Sequence, residues 1–316
     1  MNLQQAFDMF IMSREEYCSI KTVNNYKNTL GYFTVFMSER RNANLEEIDI
    51  DSITKEDLSA YTIYLRNKPK YTNHPFNKED KKGITKRTIK TYQTDMRTFF
   101  HYLYEEEYIQ NDIMRKFKMI KPETKQIIPL TVDDVKIIDG LHNVKDSIGL
   151  RNLCIIHLML DAGLRRSEVI NLELSHVNFD NNYILIVGGK GSKDRIVPLS
   201  RRLKKLLHTY KTIYRPQCEH EYFLCNARDN EQLTENSIKM IFARMKKHTT
   251  LSRLYPHLLR HTFATAYVIQ GGDLESLRIY MGHSSLEITQ KYLHLANQFG
   301  FNTNIYKLDE RFFKRK

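Results

Sequence analysis

The 316-residue chain predicts a mostly α-helical protein with one small antiparallel sheet, divided into two domains. Three observations predict it. Apolar residues through roughly the first 118 positions recur at helical spacing. A polar, proline-containing stretch at 119–128 interrupts that pattern. In the second half, two β-rich runs flank a glycine-rich turn. The expected division is therefore a helical domain at 1–118, a linker at 119–128 and a second domain at 129–316, a length that supports two separate cores.

Tyr26, Leu30, Phe33, Phe36 and Met37 lie on one helical face, with Thr22 as the expected N-cap. Leu58, Tyr61, Ile63 and Leu65 form a looser apolar run. Thr54 precedes it as a cap, with Glu56 and Asp57 in the acidic first turn that helix starts favour. A longer helix is expected at 85–105, burying Ile89, Tyr92, Met96, Phe99, Phe100 and Leu103. Between the last two, residues 66–87 are rich in lysine and broken by Pro69, Pro75 and Gly83. Lys81, Lys82, Lys86 and Arg87 continue into Lys90 and Arg97 on the next helix, and together they predict a surface that faces nucleic-acid phosphates. Such contacts position a protein without reading sequence.

Thr131, followed by Asp133 and Asp134, opens the second domain as a capped helix start. An apolar helix at 150–160 leads into Ala162-Gly163-Leu164-Arg165. Strands are expected at 183–187 and 195–199, joined through Gly188-Gly189-Lys190-Gly191. Most of the remainder reads as helix.

Charge narrows the partner. Lys and Arg number 49 against 37 Asp and Glu, a net charge of +12, which favours a polyanion. Four cysteines do not make a disulfide framework. Cys218, His220 and Cys225 are close in sequence, but no fourth zinc ligand falls at a convincing spacing, so no metal site and no cofactor are expected. The first residues lack the basic and apolar regions of a signal peptide, and no run approaches the roughly 20 apolar residues that span a bilayer. The expectation is a soluble, cytoplasmic protein.

The chemistry lies in the second half. Arg165 and Arg260 each offer a planar fork of donors that matches two phosphate oxygens and stays charged. Two fixed guanidiniums favour the more negative transition state of phosphodiester attack. Glu168, three residues after Arg165, can hold that arginine in place. His257 and Arg260 are also three apart, behind Pro256 at an expected first helical position. Lys190, between two glycines, can approach a substrate closely and protonate a departing oxygen; Lys193 is a nearby alternative. His283 precedes Ser284 and Glu287, which read as a capping box, so it sits at a helix entry. Tyr292 follows as the expected nucleophile, its proton taken by the imidazoles.

Arg165, Lys190, the stretch His257-Leu258-Leu259-Arg260, His283 after Met281-Gly282, and Tyr292 together resemble the tyrosine recombinase, or phage integrase, family. The resemblance spans nearly the whole chain, with Asn111-Asp112 where Asn-Pro is common. It implies an N-terminal core-binding domain and a C-terminal catalytic domain clamping duplex DNA. It also implies a 3′-phosphotyrosyl intermediate on Tyr292, with no ATP or metal required. Four protomers acting on two recombination sites through a Holliday junction would complete the exchange, with an accessory directionality factor as a further partner. The chain starts almost directly with the core-binding module, which favours a Xer-like or simple mobile-element enzyme that integrates, excises, resolves or inverts DNA. Type IB topoisomerase-like relaxation and a non-catalytic architectural role are the alternatives. The tail beyond Gly300, with Phe301, Ile305, Leu308, Phe312 and Phe313, forms an apolar stripe expected to dock either on a neighbouring protomer, as the resemblance implies, or as an intramolecular helix on its own domain.

Overall fold

A computed structural model describes residues 1–70, 80–123, 126–188, 193–226, 228–300 and 304–313. The chain forms two compact units, Met1–Lys125 and Gln126–Lys316.

Among the described residues, four α-helices build the first unit: α1 (Leu3–Tyr17), α2 (Ile20–Arg41), α3 (Lys55–Asn67) and α4 (Lys86–Glu105). A short antiparallel pair, β1 (Pro69–Lys70) and β2 (Asp80–Gly83), lies between α3 and α4. Leu3, Phe10, Leu30, Phe33, Tyr61, Phe99 and Phe100 close the core, with Phe33 edge-on to Tyr61 at 5.2 Å. Edge-to-face pairs of this kind add about 0.5–1.5 kcal/mol beyond simple burial. Thr54 caps α3 in a reciprocal box with Asp57, and Thr85 caps α4. Asp57 is also gripped by Arg40 and Arg41 at 2.8 and 2.7 Å. Two expectations fail in detail. Helix α2 starts earlier, capped by Ser19, because its hydroxyl reaches the amide of Thr22, which lies inside the first turn. Ile63 faces solvent, since it falls off the stripe made by Leu58, Tyr61 and Leu65.

The second unit is organised around α6 (Ser147–Leu160), which is buried along nearly its whole length. Around it lie α5 (Val132–Gly140), α7 (Arg166–Ile170), α8 (Arg201–Thr209), α9 (Glu235–His248), α10 (Pro256–Ile269), α11 (Leu274–Met281) and α12 (Leu286–Phe299). Helix α10 packs on both α6 and α12. The sheet is antiparallel, in the order β3 (Val177–Asn178), β4 (Tyr183–Ile186), β5 (Arg195–Pro198). The pairing sets Ile184 opposite Val197 and Ile186 opposite Arg195. Ile184, Ile186, Arg195 and Val197 are buried, so the alternation of the strands turns an arginine toward the protein interior. Two-residue β3 carries no alternation that a sequence could reveal.

Residues 304–313 pack on their own unit, the intramolecular one of the two destinations expected for the tail. Val132 donates its amide to Asn304, and Tyr306 donates its amide to Leu130. Ile305, Tyr306, Leu308 and Phe312 are buried in the unit's core. The Tyr306 hydroxyl donates to Asp161 at 2.5 Å. Asp161 in turn pairs with His157, whose other ring nitrogen meets Asp139. Burial opposes charge on His157, yet the two carboxylates raise its pKa above the ordinary value. Phe301 lies outside the described residues.

Candidate active site

The site begins where α6 ends. Gly163 has φ +67°, and a Cβ there would stand 2.5 Å from the Phe263 ring, so only glycine makes this turn without displacing the core. The turn delivers Arg165 to the N-cap of α7. Glu168 accepts from the Arg165 amide at 2.7 Å and from its guanidinium at 2.9 Å. Glu168 therefore both caps the helix and aims the arginine.

Arg195 and Arg260 approach the same carboxylate. Arg195 donates to Glu168 at 2.7 Å, and Arg260 lies 4.0 Å from it. The three guanidiniums also hold three successive carbonyls at the C-terminal end of α11: Arg195 to Tyr280, Arg260 to Met281, and Arg165 to Gly282. Arg260 further donates to Gly163. A helix C-terminus carries partial negative charge, which suits it to this clamp. Burial would raise the Glu168 pKa, but Arg195, the Arg165 amide and Arg260 hold it below the carboxylate range. Burial and the charge of Arg165 push Arg260 down to about 9. Three guanidiniums against one carboxylate leave two positive charges in excess, the charge needed by a phosphodiester gaining a second negative charge. Gly282 has φ +56°, and a Cβ there would meet Arg195 at 2.9 Å and Arg165 at 3.1 Å. Arg165 borders a groove of about 730 Å³ that runs past Glu168 and His176 to Gly188.

Tyr292 is carried by α12 and is 1% exposed. Its hydroxyl lies 2.8 Å from Nδ1 of His261. His283 stacks on its ring at 6.3 Å with the planes 6° apart, and His283 Nδ1 meets the Thr289 hydroxyl at 2.9 Å. Burial pushes the phenol up to about 12, although Arg260 and Arg165 oppose this. Burial and neighbouring cations push His261 down to about 4 and His283 to about 3, so both rings are neutral near pH 7. The Lys291 ammonium lies 5.1 Å from the centre of the Tyr292 ring.

The structure thus gathers Arg165, Glu168, Arg260, His283 and Tyr292 in one unit. His257 is exposed at the start of α10, its ring 6.0 Å from that of His261. Lys190 lies outside the described residues. The expected capping box of Ser284 and Glu287 does not form. Helix α12 starts one residue later, from Ser285, which makes no side-chain cap. Two residues escaped the sequence reading. His261, rather than His257 or His283, contacts the phenol; its signal is a position four after His257, on the same helical face. Arg195 shows no motif and enters through strand register alone.

On the first unit, Lys86, Arg87, Lys90 and Arg97 are exposed along α4. Arg87 and Lys90 border a groove of about 630 Å³ shared with Lys121 and Pro122. The side chains of Lys81 and Lys82 lie outside the described residues.

Comparison with known proteins places this geometry in context. Residues 130–298 match the model of the phage integrase family, and residues 2–119 match the phage integrase SAM-like domain. Tyrosine recombinase XerC of Staphylococcus aureus (strain NCTC 8325 / PS 47) is 28% identical over 303 residues, covering 94% of this chain and 93% of that protein. The Tn1549 transposon integrase in complex with a circular intermediate DNA superposes with a TM-score of 0.73 at 18% identity, covering 92% of this chain and 95% of that one. A lambda integrase dimer bound to a COC′ core site gives 0.68 at 18% identity, covering 92% and 95%.

Proposed function

The chain belongs to the phage integrase family, the tyrosine recombinases, and is a site-specific DNA recombinase; from that premise we propose that Tyr292 is its nucleophile and His261 the base that takes the phenol proton. The contact between the Tyr292 hydroxyl and His261 Nδ1, 2.8 Å apart, carries this reading. A neutral imidazole with its proton on Nε2 presents a lone pair at Nδ1. A phenol pushed up to about 12 does not ionise unaided near pH 7, so attack needs a positioned acceptor.

Arg165 and Arg260 bind the non-bridging oxygens of the scissile phosphate. Each terminal nitrogen of Arg260 that donates to a backbone carbonyl keeps a second N–H for that purpose. Glu168 and Arg195 are positioning residues that fix the two forks. His283 donates to the same phosphate, and His257 stands at the mouth of the site. Attack by the phenol oxygen forms the 3′-phosphotyrosyl bond and releases a 5′ oxygen, which Lys190 protonates. The reverse step, with a 5′ hydroxyl from a second duplex, completes exchange.

The partner is a double-stranded recombination site. Lys86, Arg87, Lys90 and Arg97, with Lys81 and Lys82, contact its phosphates. Two duplexes hold four strands, each cut by one tyrosine, so we assign a tetramer on DNA in the cytoplasm, with an accessory factor setting direction. Among the described residues no helix is long and apolar enough to cross a membrane. The test is a nicked suicide duplex resolved on a denaturing gel. Tyr292→Phe should abolish the covalent adduct while leaving DNA affinity within about twofold, since a surface this size loses one hydroxyl only. An adduct of undiminished yield in the variant overturns the assignment.

A further inference from the structure

A second cluster of chemically capable side chains lies outside the recombination site. Cys218, His220 and Cys225 bring their two sulfurs and one ring nitrogen within 4.8 Å of one another. The sulfurs are 3.4 Å apart. A disulfide would hold them at about 2.05 Å. Two thiolates sharing a tetrahedral zinc at about 2.3 Å each sit roughly 3.8 Å apart, close to the spacing found.

The histidine supplies an independent observation. Its Nε2 lies 2.8 Å from the backbone oxygen of Asn230. A carbonyl only accepts, so Nε2 carries the proton and Nδ1 is left with a bare lone pair. Nδ1 is buried and has no hydrogen-bond partner among the described residues. A buried acceptor without a donor costs about 1–3 kcal/mol, and its natural complement is a cation. An imidazole that donates its other nitrogen to a backbone carbonyl is also the usual arrangement of a metal-ligating histidine.

We propose that Cys218, His220 and Cys225 form a binding site for Zn(II), with the fourth coordination position open to water. Two soft sulfurs and an imidazole select a d¹⁰ ion over magnesium or calcium. No fourth His, Cys, Asp or Glu joins the three among the described residues. Binding converts two thiols to thiolates and releases two protons for each ion.

The place of the cluster gives it a structural role. Phe223 donates its amide to Leu172 at 2.6 Å, and Leu174 donates to Glu221 at 2.9 Å. The segment between the two cysteines is thereby paired with the chain that leaves α7, the helix Arg165 and Glu168 begin. A metal there fastens this pairing and takes no part in strand cleavage.

The test titrates the full-length protein, held reduced with a phosphine, with Co(II) and then Zn(II). One equivalent of Co(II) should give thiolate-to-metal absorption, which Zn(II) displaces, with two protons released per ion and a higher Tm. Cys218→Ser and His220→Gln, both at partly exposed positions, should lose the absorption and the Tm gain while keeping the parent circular dichroism. Cys18→Ser, outside the cluster, should keep both. Absence of metal binding by the reduced protein, or equal binding by Cys218→Ser, overturns the site. A Cys218–Cys225 disulfide formed in air, with no metal taken up after reduction, would instead make the pair a redox couple and equally overturn it.

Discussion

On the proposed assignment, His261 governs the chemistry of the phenol through its neutrality. Replacing it with glutamine removes the basic nitrogen that takes the proton, leaving only a very weakly basic amide, and the cleavage rate should fall about 10²–10⁴-fold with little change in DNA affinity. The same substitution has a signature in stability. Burial holds the folded pKa of His261 at about 4, against an ordinary value of 6.5. Above pH 6.5 the ring is neutral in both states, and no penalty arises. Between 6.5 and about 4 the unfolded chain takes up a proton that the folded chain refuses, so stability is lost as pH falls. Glutamine does not titrate, so the Tm of His261→Gln relative to the parent should rise between pH 7.5 and pH 5. A difference independent of pH would mean that the ring is not held neutral. At this scale the sequence was partly legible: Arg165, Arg260, His283 and Tyr292 announce themselves by residue type and spacing, and the structure sets them in one unit. Arg195 does not, because nothing in Asp194-Arg195-Ile196 tells which face of the strand is buried. Its place beside Glu168 depends on a register fixed only by the paired strand.

At the scale of elements, helices with polar caps were the most readable. Thr54 and Thr131 each cap the helix expected of them, because the hydroxyl contact is local in sequence. Ser19 and Ser285 were missed because several hydroxyl residues stand within one turn of each helix start, and their order in sequence does not tell which one precedes the first helical residue. The tail was legible as an apolar stripe but not in its destination, since burial against either surface satisfies the same pattern. Its cis anchor is the Tyr306 hydroxyl on Asp161, beside a buried imidazole. Tyr306→Phe breaks a hydrogen bond to a charged group, about 1.5–3 kcal/mol. The Tm of the DNA-free protein should drop by about 3–10 °C. An unchanged Tm would place the tail elsewhere than on its own unit.

For the whole molecule, the net charge of +12 and the basic side of α4 make affinity a matter of salt. Each phosphate contact removed should flatten the slope of log K against log salt by about 0.9. Lys86→Ala combined with Lys90→Ala should therefore lower the slope by about 1.8, equally for cognate and random duplexes. An unchanged slope would leave that side of the helix as ordinary solvated surface. Two units were foreseeable from one polar stretch and two independent apolar patterns, because each core is built mainly from contacts within its own stretch of sequence. In the proposed mechanism one of 19 tyrosines carries the DNA through the reaction. Its most direct measurement traps the wild-type protein on a suicide duplex, digests protein and DNA, and locates the nucleotide-bearing peptide by tandem mass spectrometry. The expected product is a 3′-phosphonucleotide on Tyr292. The same modification on any other residue, such as the exposed Tyr255, would contradict it.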